Sequence, residues 1–419
     1  MNPSFETDPH PGRPKILFIG PGDSSHTYSW IDLLADRPFN VRFFVPPRFF
    51  SPPDSWKIKT YITAYDHGPL DRLTRKRLVD KGTTRRVAQR YLARALNKPW
   101  DSEQVGAAWL AQIIREWQPH IVHTFQVDVA EFYFRVCRDY GIENGPKWVL
   151  QVRGGPELAM RRLMPEHKES IRRTLLAGDQ VVADNQQNYE FALEMGVKQD
   201  QISLGVVPGT GGIDVMSLVN RWRGNPSERR ILLWPKAYEG PQNKALPVLE
   251  ALKLAKARMP PCEIHLVATN PEVRMWFQTL PADLREACVL YERAPRDQVL
   301  ELMVSARIML APSVSDGVPN AMYEAMAAGA FPIISPLDTV VPLVREEENV
   351  LFARNLYPEE IAGALVRAAT DDRLVDTAAK RNLELVKRLA SRDEIRERVI
   401  RFYESLAGTP EALLKGGKT

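Results

Sequence analysis

The chain has 419 residues, 44% hydrophobic and 26% charged, and carries a net charge of +4 at pH 7. That length exceeds what one hydrophobic core normally supports, so two domains are expected, and the composition excludes a disordered or fibrous chain. No apolar run approaches the roughly 18 residues of a spanning helix. The N-terminus lacks a basic start followed by an apolar run, and Cys137, Cys262 and Cys288 show neither paired nor metal-like spacing. A cytoplasmic protein in a reducing compartment is expected.

Residues 14–30, PKILFIGPGDSSHTYSW, read as a buried strand, a glycine-containing loop and a helix. Gly20 and Gly22 would let the backbone approach a ligand closely, and Ser24 or Ser25 would cap the helix. Gly22 and Asp23 are the candidate ligand-facing residues, with His26 behind them. The unit is of the dinucleotide-binding kind but lacks the third glycine of the full fingerprint. NVRFFVPP reads as the second strand.

Between Leu70 and Lys98 stand ten basic residues against Asp71 and Asp80, a local charge of +8 that exceeds the charge of the whole chain. Arg86, Arg90 and Arg94 recur at helical spacing, and Trp56 and Trp100 flank the stretch. Two readings follow for Arg72–Lys98: a solvated helix face, or a peripheral contact with an anionic membrane at its inner face.

A helix and a strand then end at His123, and KWVLQVRGGPEL is a strand opening into a loop at Arg153, Gly154 and Gly155. IRRTLLAGDQVVADN repeats the helix–strand pattern, and residues 202–215 close the first domain. Residues 220–230, NRWRGNPSERR, read as a polar linker. A second alternating series runs through ILLWPK, EIHLVATN, CVLYER, ARIMLAP and FPIISP, and an amphipathic helix ends the chain. This alternation predicts two doubly wound parallel sheets. The expected domains are residues 1–220, joined by the last helix at 391–419, and residues 228–390.

Residues 313–336, SVSDGVPNAMYEAMAAGAFPIISP, carry the most specific pattern. A buried strand stops at Pro312, Asp316-Gly317 supplies a turn, and Pro319 suits a helix start. Gly329 sits where a helix end wants a left-handed residue. The N–H groups of Asn320 and Ala321 point out of the helix N-terminus, where the dipole favours a phosphate. Asp316 and Glu324 cannot ligate a phosphate but can accept hydrogen bonds from sugar hydroxyls attached to it. Spacing alone is equally consistent with a surface turn and two solvated acids.

The stretch resembles the signature of family 4 glycosyltransferases, in which two glutamates flank a glycine-proline turn before an EAMA-x-G helix. Asp316, Gly317, Pro319, Glu324, Ala325, Met326, Ala327, Gly329 and Pro332 fall in register, with Asp316 one methylene shorter than the usual glutamate. The resemblance implies a GT-B fold, two Rossmann-like domains facing a cleft, and a retaining, metal-independent transfer from a nucleotide sugar. It implies that Glu324 contacts the ribose and Asp316 the transferred sugar, with Gly317, Val318, Pro319, Asn320, Ala321 and Arg293 on the donor side.

For the nucleotide-sugar donor that the resemblance implies, the chain has no Asp-x-Asp near a strand end suited to a metal, so lysine or arginine should carry the leaving diphosphate. Lys236 stands where the family usually has arginine, and Lys244 matches its downstream lysine. Gly22 would present backbone N–H groups to the same diphosphate. His123 would touch the donor sugar, against the plain reading of a buried histidine, and Arg153, Gly154 and Gly155 would border the acceptor. No cofactor is expected beyond the nucleotide-sugar co-substrate, a UDP-sugar first. The expected partners are that donor and a glycan or lipid-linked acceptor, with no nucleic acid. Two other functions remain open: a sugar-nucleotide epimerase or phosphorylase on the same fold, and a degenerate nucleotide-sugar-binding subunit.

Overall fold

The computed structural model describes residues 5–53, 55–62, 102–142, 144–154 and 156–408. The basic stretch Arg72–Lys98, with Trp100 and Gly155, lies outside them. The chain divides into two units. Met1–Arg153, Glu157–Gly211 and Arg396–Thr419 form unit 1, and Gly154–Pro156 with Gly212–Ile395 form unit 2.

Short runs of apolar, β-branched and aromatic residues make the strands of unit 1: β1 (Lys15–Ile19), β2 (Asn40–Val45), β3 (Lys59–Ile62), β4 (Ile121–Phe125), β5 (Lys147–Val152) and β6 (Gln180–Ala183). Between them lie α1 (Ser25–Ile31), α2 (Ser102–Trp117), α3 (Val127–Asp139) and α4 (Pro165–Ala177), and α5 (Gln186–Glu194) follows β6. All pairs are parallel, in the order β3-β2-β1-β4-β5-β6.

Alternation along each strand gives the sheet two different faces. Leu17, Ile19, Val122 and Leu150 pack with Leu110 and Ile113 of α2 and Val129 and Tyr133 of α3. The residues between them, Phe18, His123, Phe125 and Gln151, build a second layer that is aromatic and polar.

Unit 2 begins with α6 (Val215–Val219) and repeats the scheme with β7 (Ile231–Trp234), α7 (Ala245–Lys256), β8 (Glu263–Val267), α8 (Pro271–Phe277), α9 (Ala282–Glu286), β9 (Cys288–Tyr291), α10 (Arg296–Ser305), β10 (Ala306–Ala311), α11 (Asn320–Ala328), β11 (Phe331–Ile334) and β12 (Leu351–Phe352). Then come α12 (Pro358–Thr370), α13 (Asp372–Ala390) and α14 (Arg392–Ala407), whose residues from Arg396 onward belong to unit 1. The sheet is again parallel, ordered β12-β11-β10-β7-β8-β9. Leu232, Ile264, Leu310 and Ile333 face α7 and α12, and Leu233, Met309 and Ile334 face Met322, Ala325 and Met326 of α11.

Both sheets reverse their winding between two neighbouring strands, β1 and β4 in unit 1 and β7 and β10 in unit 2. In open α/β sheets the crevice beyond the carboxyl ends of such a pair is where ligands bind.

Residues 220–230 are not a linker. Arg229 is 4% exposed, and its guanidinium donates to the carbonyls of Ala306, Ala328, Gly224 and Arg223. Trp222 Nε1 donates to the carbonyl of Ala327 at 2.8 Å. A cation and an indole thus satisfy the last carbonyls of α11, where the helix dipole is negative. The segment 212–230 therefore belongs to unit 2, whereas the sequence reading ended the first domain at residue 220.

Candidate active site

The carboxyl ends of β7 and β10 bring together the side chains chosen from sequence. Lys236 follows β7, Asp316 follows β10, and Lys236 Nζ lies 2.5 Å from Asp316 Oδ2 across the switch point. Burial pulls the Lys236 ammonium down, but the charge and hydrogen bond of Asp316 outweigh it and raise its pKa overall. Asp316 also turns its own loop, since Oδ1 accepts from the N–H of Gly317 at 2.9 Å. Thr339 Oγ1 donates to the carbonyls of Asp316 and Gly317, tying the turn to the chain after β11.

The turn leads into α11. Its N-cap is Pro319, which offers no side-chain hydrogen bond to the first turn. Gly317, Val318, Pro319 and Ala321 are buried and Asn320 is half-buried. At the far end Gly329 adopts φ +77°, and a Cβ there would press on the Trp222 ring at 3.1 Å, so glycine is required twice over. One turn into the helix, Glu324 is 9% exposed and pairs with Arg296 at 2.7 Å. Burial raises its carboxyl pKa, with Arg296 and Lys236 pulling the other way.

The second lysine sits at the start of α7. Lys244 Nζ contacts Glu239 Oε1 at 2.9 Å, while Glu239 Oε2 accepts from the N–H of Ala245 and so caps α7. Asn355, 3% exposed, clamps this corner. Its amide accepts from the Lys244 N–H and donates to the carbonyls of Lys244 and of Pro312 at the end of β10. Val314 N–H donates to the Gln242 carbonyl, a second tie between the loops after β7 and β10.

Arg293, chosen from sequence, is exposed and makes no ion pair among the described residues. Arg296, three positions on, makes the pair with Glu324. Among the described residues no group of three His, Cys, Asp or Glu side chains is placed to hold a metal ion. A cavity of about 740 Å³ lined by Arg345, Lys380, Arg381 and Arg388 shares no residue with this site.

In unit 1, Gly22 is buried and Asp23 and His26 are exposed. The room a Cβ at Gly22 would need is taken by the Phe50 carbonyl, so close packing of the chain on itself already accounts for this glycine. His123 is fully buried among Phe18, Trp30, Phe125 and Tyr403, and Tyr403 Oη lies 2.6 Å from its Nδ1. Burial and the nearby Arg153 charge hold its pKa well below the usual histidine value, so the ring is neutral.

Arg153 is 8% exposed and stacks over Phe125 at 4.2 Å. Burial lowers its pKa to about 10. Its N–H donates to Glu157 Oε2, a carboxyl that sequence reading missed and that burial pushes up to about 8. Glu157 lies in a single π-helical turn, Pro156–Met160, a distortion often found at functional sites. Gly154 adopts φ +70°.

Two parallel, doubly wound sheets of this order, one in each unit, define the GT-B class of fold. The family description "Glycosyl transferases group 1" matches residues 229–371, the stretch that holds Lys236, Lys244, Arg296, Asp316 and Glu324. Among solved structures, Anabaena Alr3699/HepE in complex with UDP-glucose is 13% identical with a TM-score of 0.66, over 93% of this chain and 99% of that one. The sucrose-phosphate synthase of Thermosynechococcus elongatus is 16% identical with a TM-score of 0.67, over 94% and 99%. A glycosyltransferase from Rickettsia africae is 13% identical with a TM-score of 0.63, over 94% and 98%. No curated protein matches the chain in sequence.

Proposed function

We propose that the protein is a retaining, metal-independent glycosyltransferase that moves a sugar from a nucleoside diphosphate, a UDP-sugar first, to a glycan or lipid-linked acceptor. The observation that carries the proposal is the set of three lysine or arginine–carboxylate pairs at the β7/β10 switch point, beside a helix N-terminus with no side-chain cap. Lys236 and Lys244 can leave their carboxylates for a phosphate, and a carboxylate so released can accept from a sugar hydroxyl. In this reading Lys236 exchanges Asp316 for the diphosphate, and Asp316 turns to the transferred sugar. Arg296 takes Oε1 of Glu324, leaving Oε2 for the ribose.

The C1–O bond to the diphosphate breaks while the acceptor oxygen bonds to C1 on the same face. The acceptor proton passes to the departing phosphate oxygen, so no protein nucleophile enters. Lys236 and Lys244 stabilise the charge that grows on that oxygen, and this is where binding energy raises turnover. The UDP-glucose complex of the Anabaena neighbour and the family match over the same stretch support a nucleotide sugar as donor. A thermal-shift series with UDP-, GDP- and ADP-sugars tests the donor, because bound ligand raises apparent stability by mass action.

Work at the cytoplasmic face of a membrane, through Arg72–Lys98, belongs to the same proposal. No helix among the described residues is long and apolar enough to cross a membrane. Co-sedimentation with anionic vesicles that equals co-sedimentation with neutral ones would exclude the membrane contact.

A further inference from the structure

We propose that the cavity between α13 and the segment after β11 is a second binding site, for an organic phosphate, and that its ligand acts on the Asp316 turn. Both walls lie in unit 2. The binding does not depend on the glycosyl-transfer reading; the action on the turn rests on it.

The cavity has a volume of about 740 Å³, the size of a small-molecule site. Arg345 stands on one wall and Lys380, Arg381 and Arg388 of α13 on the other, with Glu348 and Glu384 as the carboxylates of the lining. Four cations against two carboxylates leave a net charge of +2. Both carboxylates are already engaged. Glu348 lies 3.7 Å from Arg381. Glu384 stands four residues from both Lys380 and Arg388, the spacing of a helical ion pair, yet it takes Lys387 at 2.9 Å. Glu346 and Glu347 lie outside the lining, and Glu346 accepts from the Phe352 N–H at 3.2 Å.

Arg345, Lys380 and Arg388 are thus exposed, with no ion pair among the described residues. A single exposed lysine or arginine is ordinarily solvated and nothing more. Three around one cavity, from two elements, match the several charged oxygens of a phosphate, which guanidinium and ammonium groups both bind. The lining also includes Val341, Leu343 and Leu385, and Val341 is 48% exposed. Covering that apolar surface favours a phosphate that carries a carbon skeleton over the bare ion. The walls are fixed to each other. Asn382, 1% exposed, donates to the Asn349 carbonyl and accepts from the Asn349 amide, both at 2.8 Å.

The wall that carries Arg345 also reaches the candidate active site. The N–H groups of Val340 and Val341 donate to the Leu337 carbonyl, and the Leu343 N–H donates to that of Val340, so residues 337–343 form one hydrogen-bonded turn. Thr339 lies within it, 7% exposed, and its hydroxyl donates to the carbonyls of Asp316 and Gly317. A ligand that draws Arg345 towards Lys380 and Arg388 therefore pulls on the turn that holds Asp316. By linkage, a nucleoside diphosphate bound at that turn alters the affinity for the ligand by the same factor.

Isothermal titration of the full chain with a hexose monophosphate, farnesyl phosphate and inorganic phosphate tests the site. The first two separate a soluble ester from a lipid one. At least one ester is expected to bind, and more tightly than inorganic phosphate. The double variant Arg345→Glu, Arg388→Glu should weaken that binding about tenfold or more, whereas Lys244→Ala should leave it unchanged, which sets the site apart from the donor site. Binding of neither ester overturns the site. So does inorganic phosphate that binds as tightly as the ester, or a folded double variant with wild-type affinity. With the ester bound, the Kd for UDP should shift about fivefold or more, and the shift should vanish in the double variant. An unshifted Kd overturns the action on the Asp316 turn. Failure of the wild type to bind any nucleoside diphosphate would overturn the glycosyl-transfer reading and that action with it, while the ester titration still decides the site.

Discussion

Replacing Glu324 by alanine separates the cost of the site from its use. In the resting protein the carboxylate is almost covered, but its partner Arg296 is 47% exposed in its side chain. Such a pair adds only about 0–1 kcal/mol to stability. Burial works against even that, because it raises the folded pKa of Glu324. A group shifted upward contributes its stability at low pH and loses it as the pH rises through the folded value, so at neutral pH the carboxylate is at best neutral for folding. The expected change in Tm of Glu324→Ala is therefore small. A ribose hydrogen bond to a charged group, in contrast, is worth about 1.5–3 kcal/mol. At about 1.36 kcal/mol per decade this lowers kcat/KM roughly ten- to a hundred-fold. Initial rates of donor turnover with purified protein, alongside a melting curve, measure both. Wild-type kcat/KM in a folded Glu324→Ala protein would refute the ribose role.

Lys244→Ala should lower kcat more than donor affinity, because the phosphate charge develops in the transition state; equal losses in binding of nucleoside and nucleoside diphosphate would contradict this. Asn355→Ala should cost about 1–3 kcal/mol in a urea titration, since it strands the Lys244 N–H and two buried carbonyls; an unchanged midpoint would show that the clamp adds nothing. Glu157, raised from 4.5 to about 8 by burial, should make the wild type less stable as pH climbs across that window. Glu157→Gln should flatten the slope between pH 5 and pH 9, and an identical slope would remove Glu157 as its source. Chelation with EDTA should leave turnover intact, and its loss would refute metal independence.

The strand–turn–helix around Asp316 was legible because local rules agree there: a proline at the helix start, strong helix formers, and a glycine in the left-handed region. The parallel sheets followed from alternation alone. The edge strand β12, with two residues, is too short to show a period. Residues 220–230 read as solvated because charge normally is; only packing shows Arg229 sealed among backbone carbonyls. Arg293 and Arg296 could not be separated by spacing. Pro295, as the N-cap of α10, makes Arg296 its first helical residue. Gly22 was read as a point of close approach to a ligand; the structure puts the chain's own Phe50 carbonyl against it, a contact no local pattern announces. Tyr403 stands 280 positions from His123, so no local pattern could have joined them.

In the proposed function the pairs after β7 and β10 serve a nucleoside diphosphate leaving group. Release of nucleoside diphosphate from UDP-, GDP- and ADP-sugars, followed in wild type and Lys244→Ala side by side, tests it most directly. Release is expected from one donor class, UDP-sugars first, with a large loss of that release in the variant. No release from any donor, or equal release by the two proteins, would contradict it.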